Sequence, residues 1–170
     1  RAAGQAAAIR PLIDEAREAA AAARARAGEL AAQAERAGTA GGTPLSDAAT
    51  ASAMAEGLRL ERRFEEAASG WSETAALYKA AIAAAGQAAA ASRSAAQTAR
   101  AEARAAGADA LEDFAVASRF FAEGEGHADA GAYTDAVWRF DDAAIWFAAA
   151  RRRASGAVGT ERRSEIRHRL

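Results

Sequence analysis

Phe64-Glu-Glu-Ala-Ala-Ser-Gly-Trp71-Ser-Glu-Thr-Ala-Ala-Leu-Tyr78 and Tyr133-Thr-Asp-Ala-Val-Trp-Arg-Phe140-Asp-Asp-Ala-Ala-Ile-Trp-Phe147 carry aromatic residues at the same three positions, 69 residues apart. Seven-residue spacing puts each triple on one stripe of a helix. Phe64, Trp71 and Tyr78, and then Tyr133, Phe140 and Phe147, are therefore read as a structural seam facing a partner helix. Gly38 with Gly107 and Gly57 with Gly126 keep the same offset without a gap. A repeat of helix pairs packed by stacking follows. Trp138 and Trp146 fall off the stripe, which marks them for a further helix or for an exposed surface.

Working outward, residues 2 to 37 read as a first helix, interrupted only by Pro11, which either begins the helix proper or kinks it. Ile9, Leu12, Ile13, Ala16, Ala20, Ala23, Ala27, Leu30 and Ala34 recur at spacings of three and four and predict one narrow apolar stripe. Gly38 to Leu45 reads as a loop, with Thr43 as N-cap and Pro44 as first helical residue of a second helix to Leu60. A third helix is expected from near Arg62 to Ala106, broken by nothing stronger than Gly70 and Gly86. At about 1.5 Å per residue it would be roughly 66 Å long, so it needs packing partners along its length. A fourth covers about Ala110 to Ala128 and a fifth Tyr133 to about Ala154. Ser155 to Thr160 is expected to break the fifth, leaving a short basic segment.

Of the 170 residues, 51% are hydrophobic, but alanine dominates that share, so close alanine faces and a few aromatics must supply the packing. Alanine is the best helix former, and strand-favouring residues are rare. The composition predicts an all-α fold. Net charge is minus one, unevenly placed. Residues 111 to 147 hold eight acids against Arg119 and Arg139, and residues 151 to 170 hold seven arginines against Glu161 and Glu165. Without cysteine there is no disulfide framework and no thiolate metal site. Charges interrupt every alanine tract, so no transmembrane segment is expected. The chain begins at Arg1 in a helix-prone run, which suggests part of a longer or processed protein. Alanine and arginine richness points to a high-GC bacterial source, and a cytoplasmic location is expected.

The stretch from Gly131 to Ala143 resembles the central part of a tetratricopeptide repeat, in which a Gly-x-Tyr turn leads into small and aromatic residues three to four apart. Phe120 matches the family's aromatic near the start of its first helix, and Gly124 the small residue four positions on. His127 stands where an aromatic is usual, and Ala148 where a helix-ending proline is usual. Sixty-nine residues earlier the pattern falls on Ala51, Ala55, Leu58, Ala67, Trp71 and Thr74, with Arg62 in place of the turn glycine. Alanine-rich helical regions of large bacterial signalling proteins, some with a kinase domain, are similar. The resemblance covers about residues 44 to 82 and 111 to 151, and it implies an accessory, partner-binding role. Because the period is about twice the family's own, two hairpins must share the long third helix.

Catalytic or ligating groups are scarce. His127 lies beside Glu123 and Glu125, where it reads as a residue filling an aromatic's place. Glu165 and His168 have the Glu-x-x-His spacing of di-iron bundles, but such sites need two of these motifs. Adjacent carboxylates such as Glu65-Glu66 and Asp141-Asp142 point about 100° apart and read as solvated faces. Gly38-Thr-Ala-Gly-Gly lacks the lysine and the strand of a phosphate loop. Arg151, Arg152, Arg153, Arg162 and Arg163 form an anion-binding candidate, and Arg152-Arg153-Ala-Ser155 resembles a basophilic kinase site. The same arginines could instead neutralise the acidic stretch, and no interleaved aromatics are there to stack bases.

The expectation is an elongated antiparallel bundle of about five helices. Its repeat domain spans residues 1 to 155, in units of about 9 to 77 and 78 to 146, followed by a basic tail or linker from 156 to 170. No catalytic, cofactor or metal site is expected. The function expected is protein–protein interaction or scaffolding within a larger bacterial protein, the partner being another protein or a further domain of the same chain. Trp138, Trp146, Asp141 and Asp142 are the candidate partner-binding residues. Alternatives are nucleic-acid or anionic-surface binding through the arginines, with nucleic acid the less favoured partner, and self-assembly as a homo-oligomeric rod.

Overall fold

The computed structural model describes residues 2–38 and 42–168, with side chains described for 10–38 and 42–156. Five helices make up the described chain: α1 (Ala2–Ala37), α2 (Thr43–Leu60), α3 (Phe64–Ala105), α4 (Glu112–Asp129) and α5 (Tyr133–His168). No strand occurs among the described residues. The fold is all-α. The chain divides into two compact units, residues 1–85 and 86–170. The single helix α3, 42 residues long, contributes to both, as the doubled period requires.

In the first unit α2 turns back along α1, and the start of α3 turns back along α2. Ala20, Ala27, Ala34 and Ala37 form the buried edge of α1. With them the core holds Ala48 and Ala55 of α2 and Ala67, Trp71 and Thr74 of α3. Small residues let the helices approach closely: a Cβ added at Gly70 would lie 3.0 Å from the Ala55 Cβ. The apolar stripe expected on α1 is buried only in part. Leu12 is 65% exposed and Ile13 50%. The 18-residue α2 is half the length of α1 and ends before it can cover them.

The second unit combines the latter part of α3 with α4 and α5, and its core is richer in aromatics. Phe114 packs edge-on against Phe147 with ring centroids 5.0 Å apart, and Phe121 against Phe140 at 5.3 Å. Phe140 and Phe147 are wholly buried. These crossed pairings, 114 with 147 and 121 with 140, fix the α4–α5 hairpin as antiparallel. Gly124 makes room for the hairpin, since a Cβ there would sit 2.8 Å from the Phe140 ring.

Matching corners close the helices of the two units. After α2, Arg62 N–H donates to the Arg59 carbonyl and Arg63 N–H to that of Leu58, both at 3.0 Å. After α4, Gly131 N–H donates to Ala128 at 3.0 Å and Ala132 N–H to His127 at 2.9 Å. Both sets are the paired bonds of a Schellman cap, which satisfy the last helical carbonyls. The cap needs a left-handed residue, supplied by Gly131 at φ 75° and by Arg62 at φ 63°. Gly38 at φ 78° and Gly107 at φ 75° likewise end α1 and α3.

Two local expectations are corrected. Thr43 is not the N-cap of α2: Gly42 at φ 59° holds that place with no side-chain cap bond, and the helix begins at Thr43. Ser155 to Thr160 does not break α5, which runs to His168. A glycine inside a helix costs only about 1 kcal/mol against alanine, which good helix formers on either side can offset.

Candidate interaction surfaces

Helix α5 shows two opposite faces. Trp138 and Ile145, seven residues apart, are each 64% exposed, and Trp146 is 39% exposed. Phe140 and Phe147, two positions further on, point the other way into the core. The exposed face thus carries large apolar side chains, Trp138 and Ile145 mostly outside the packing of this unit and Trp146 partly within it. Asp141 is exposed beside them. Asp142 is half-buried and faces the Arg139 guanidinium at 3.7 Å. Arg139 also reaches Glu123 at 3.2 Å and lies 5.5 Å over the Phe120 ring, so it ties α4 to α5.

The six seam aromatics divide by depth. Trp71, Phe140 and Phe147 are buried, whereas Phe64, Tyr78 and Tyr133 are half-buried. Tyr133 covers Gly86, where an added Cβ would lie 3.6 Å from its ring.

Charged residues follow the repeat as well, which the aromatic pattern alone does not reveal. Arg24 pairs with Glu56 at 3.4 Å in the first unit, and Arg93 pairs with Glu125 in the second. Both residues of the second pair stand 69 positions after those of the first. Glu56 also accepts two bonds from Arg59 Nε at 3.1 Å and one from Nη2 at 2.6 Å. That guanidinium holds the Glu56 carboxyl below its ordinary 4.5, with residual desolvation opposing it and Arg24 assisting. Phe114 and Phe121, which complete the aromatic core, were also not among the expected seam.

The arginines after Phe147 are partly engaged within their own unit. Arg153 reaches the buried Asp113 at 3.1 Å, and Arg151 pairs with Glu102 of α3. Arg152 is exposed. The side chains of Arg162 and Arg163, like those of Glu165 and His168, lie outside the described residues. So does most of the Gly38-Thr-Ala-Gly-Gly loop. Among the described residues no group of three His, Asp or Glu side chains is placed to hold a metal ion. No helix there is long and apolar enough to cross a membrane.

Comparisons with protein-family models, with curated proteins and with solved structures each returned no match to this chain.

Proposed function

We propose that this chain is a non-catalytic protein–protein interaction module, built from two tetratricopeptide-like hairpins and working within a larger bacterial signalling protein. One observation carries the reading: Trp138, Ile145 and Trp146 project from a helix whose opposite face already fills the core. Exposed aromatic and aliphatic side chains grouped on one rigid face are what buried anchors of protein interfaces consist of. Asp141 beside them would set orientation and partner choice more than affinity. The partner is another protein or a further domain of the parent chain.

The experiment compares the immobilised wild-type chain with a W138A/I145A/W146A variant of matched helicity and melting temperature. Proteins retained by the wild type and lost by the variant support the reading, and equal retention by both overturns it. Sedimentation at several concentrations identifies a second copy as the partner if the wild type alone self-associates.

A further inference from the structure

The first unit holds a groove of about 940 Å³ whose counterpart in the second unit is a pocket of about 200 Å³, lined by Arg93, Ala128, Asp129 and Phe140 at the positions 69 residues on, and the repeat accounts for the difference in size. The groove is lined by Ser52 and Ala31. At the equivalent positions the second unit has Phe121 and Arg100, with the Arg100 guanidinium 5.7 Å over the Phe121 ring. Phe121 is buried against Phe140, so a ring and a guanidinium occupy there part of the space that a hydroxymethyl and a methyl leave open here. The larger opening therefore goes with smaller side chains at two groove positions, Ala31 against Arg100 and Ser52 against Phe121.

Its chemistry is specific. Four arginines, Arg17, Arg24, Arg59 and Arg62, line the groove, and no carboxylate among the described residues does. Glu56 binds Arg24 and Arg59, which orders two of the cations. Arg17 and Arg62 have no ion-pair partner among the described residues. Trp71 forms part of the wall, is 94% buried, and its indole Nε1–H has no acceptor among the described residues. Buried donors are nearly always paired, so an unpaired one marks a place where an acceptor is missing. Arg62 keeps a left-handed backbone that its counterpart meets with glycine, which retains a cation at this rim in spite of the strain.

We infer that this groove is a binding site for an amphipathic organic anion, with its head held by Arg17 and Arg62 and its apolar body laid along Trp71, Tyr78 and the alanine face of α1. The volume lies within the roughly 300–1,000 Å³ of small-molecule sites, and an aromatic wall with a few convergent polar groups is their usual make-up. Arginine suits the head because its planar fork matches carboxylate and phosphate oxygens. Arg24, which lies 5.9 Å over the Trp71 ring, must move for the apolar body to lie along that face.

The test uses the full chain with Trp138 and Trp146 changed to Phe, which leaves Trp71 as the reporter among the three tryptophans. The probe is 1-anilinonaphthalene-8-sulfonate, followed by energy transfer from Trp71. Saturable binding is expected, weakened about tenfold or more in R17Q/R62Q. S52F, which restores the ring of the second unit, is expected to abolish it with helicity unchanged. Laurate and dodecyl phosphate should both displace the probe, and the stronger competitor identifies the head group. Inorganic phosphate, which has no apolar body, should not. The inference is overturned by absence of saturable binding, by equal binding in wild type and R17Q/R62Q, or by displacement with inorganic phosphate as effective as with laurate. Should S52F fail to fold, the exposed R17Q/R62Q pair decides alone.

Discussion

Arg62 holds the same left-handed turn in the first unit that Gly131 holds in the second, at φ 63° and 75°, with the same pair of capping bonds behind it. An L-residue with a Cβ strains in that conformation by about 1–2 kcal/mol, whereas glycine does not. Arg62→Gly should therefore raise stability by about 1 kcal/mol after allowance for the greater freedom of glycine in the unfolded chain. Urea unfolding would measure it as a higher midpoint at unchanged slope. A fall in the midpoint would mean that the Arg62 side chain stabilises the unit by more than its backbone strains it.

Gly124 and Gly126 are neighbours on α4 with opposite requirements. A Cβ at Gly124 would enter the Phe140 ring at 2.8 Å, while one at Gly126 would meet nothing within 4 Å. Gly124→Ala should cost about 1–3 kcal/mol through overpacking. Gly126→Ala should stabilise by up to about 1 kcal/mol through helix propensity. Thermal melts of the two variants should move in opposite directions; a rise in both would show that α4 and α5 repack freely around the added Cβ, and a fall in both would refute the gain at Gly126.

Much of this was legible in the sequence because helices obey short-range rules. Alanine content and the 69-residue offset point to the all-α fold, and the absence of a terminator between Phe64 and Ala105 to the long α3. The ion pair Arg93–Glu125 was not: the offset links Arg24 to Arg93 and Glu56 to Glu125, but it does not say that the two residues of a unit meet. The groove was not. It depends on what Ser52 fails to fill, and a vacancy leaves no periodic signal. Nor was the exposure of Leu12 and Ile13, because periodicity tells which residues share a face but not how far the covering helix extends. The run of α5 past Ser155 was missed because glycine weakens a helix by an amount that flanking residues can offset.

Glu56 joins α1 to α2 through Arg24, and its carboxyl lies below the ordinary 4.5 because of the Arg59 bond. A carboxylate with a lowered folded value contributes stability that is complete above its unfolded value and is lost as pH falls through the folded one. The wild type should thus lose stability on acidification from about pH 4.5 downward, and Glu56→Gln should lose less over that range. Melting temperatures from pH 7 to pH 3 test this, and parallel curves for the two proteins would remove Glu56 from the acid response. The group is near the surface, so the difference should also shrink with added salt.

Phe140 and Trp138 stand two residues apart on α5, one wholly buried and the other 64% exposed. Truncating Phe140 removes a ring that packs against Phe121 and leaves a cavity beside Gly124, so Phe140→Ala should cost about 3–5 kcal/mol. Trp138→Ala removes a side chain that this unit does not pack, and its effect on stability should stay within about 0.5 kcal/mol. Denaturant unfolding of the two variants separates the aromatic residues that hold the hairpin from those free for a partner. A loss of more than about 1 kcal/mol in Trp138→Ala would place Trp138 among the residues that hold the fold and would leave Ile145 and Trp146 as the remaining anchors of the proposed surface.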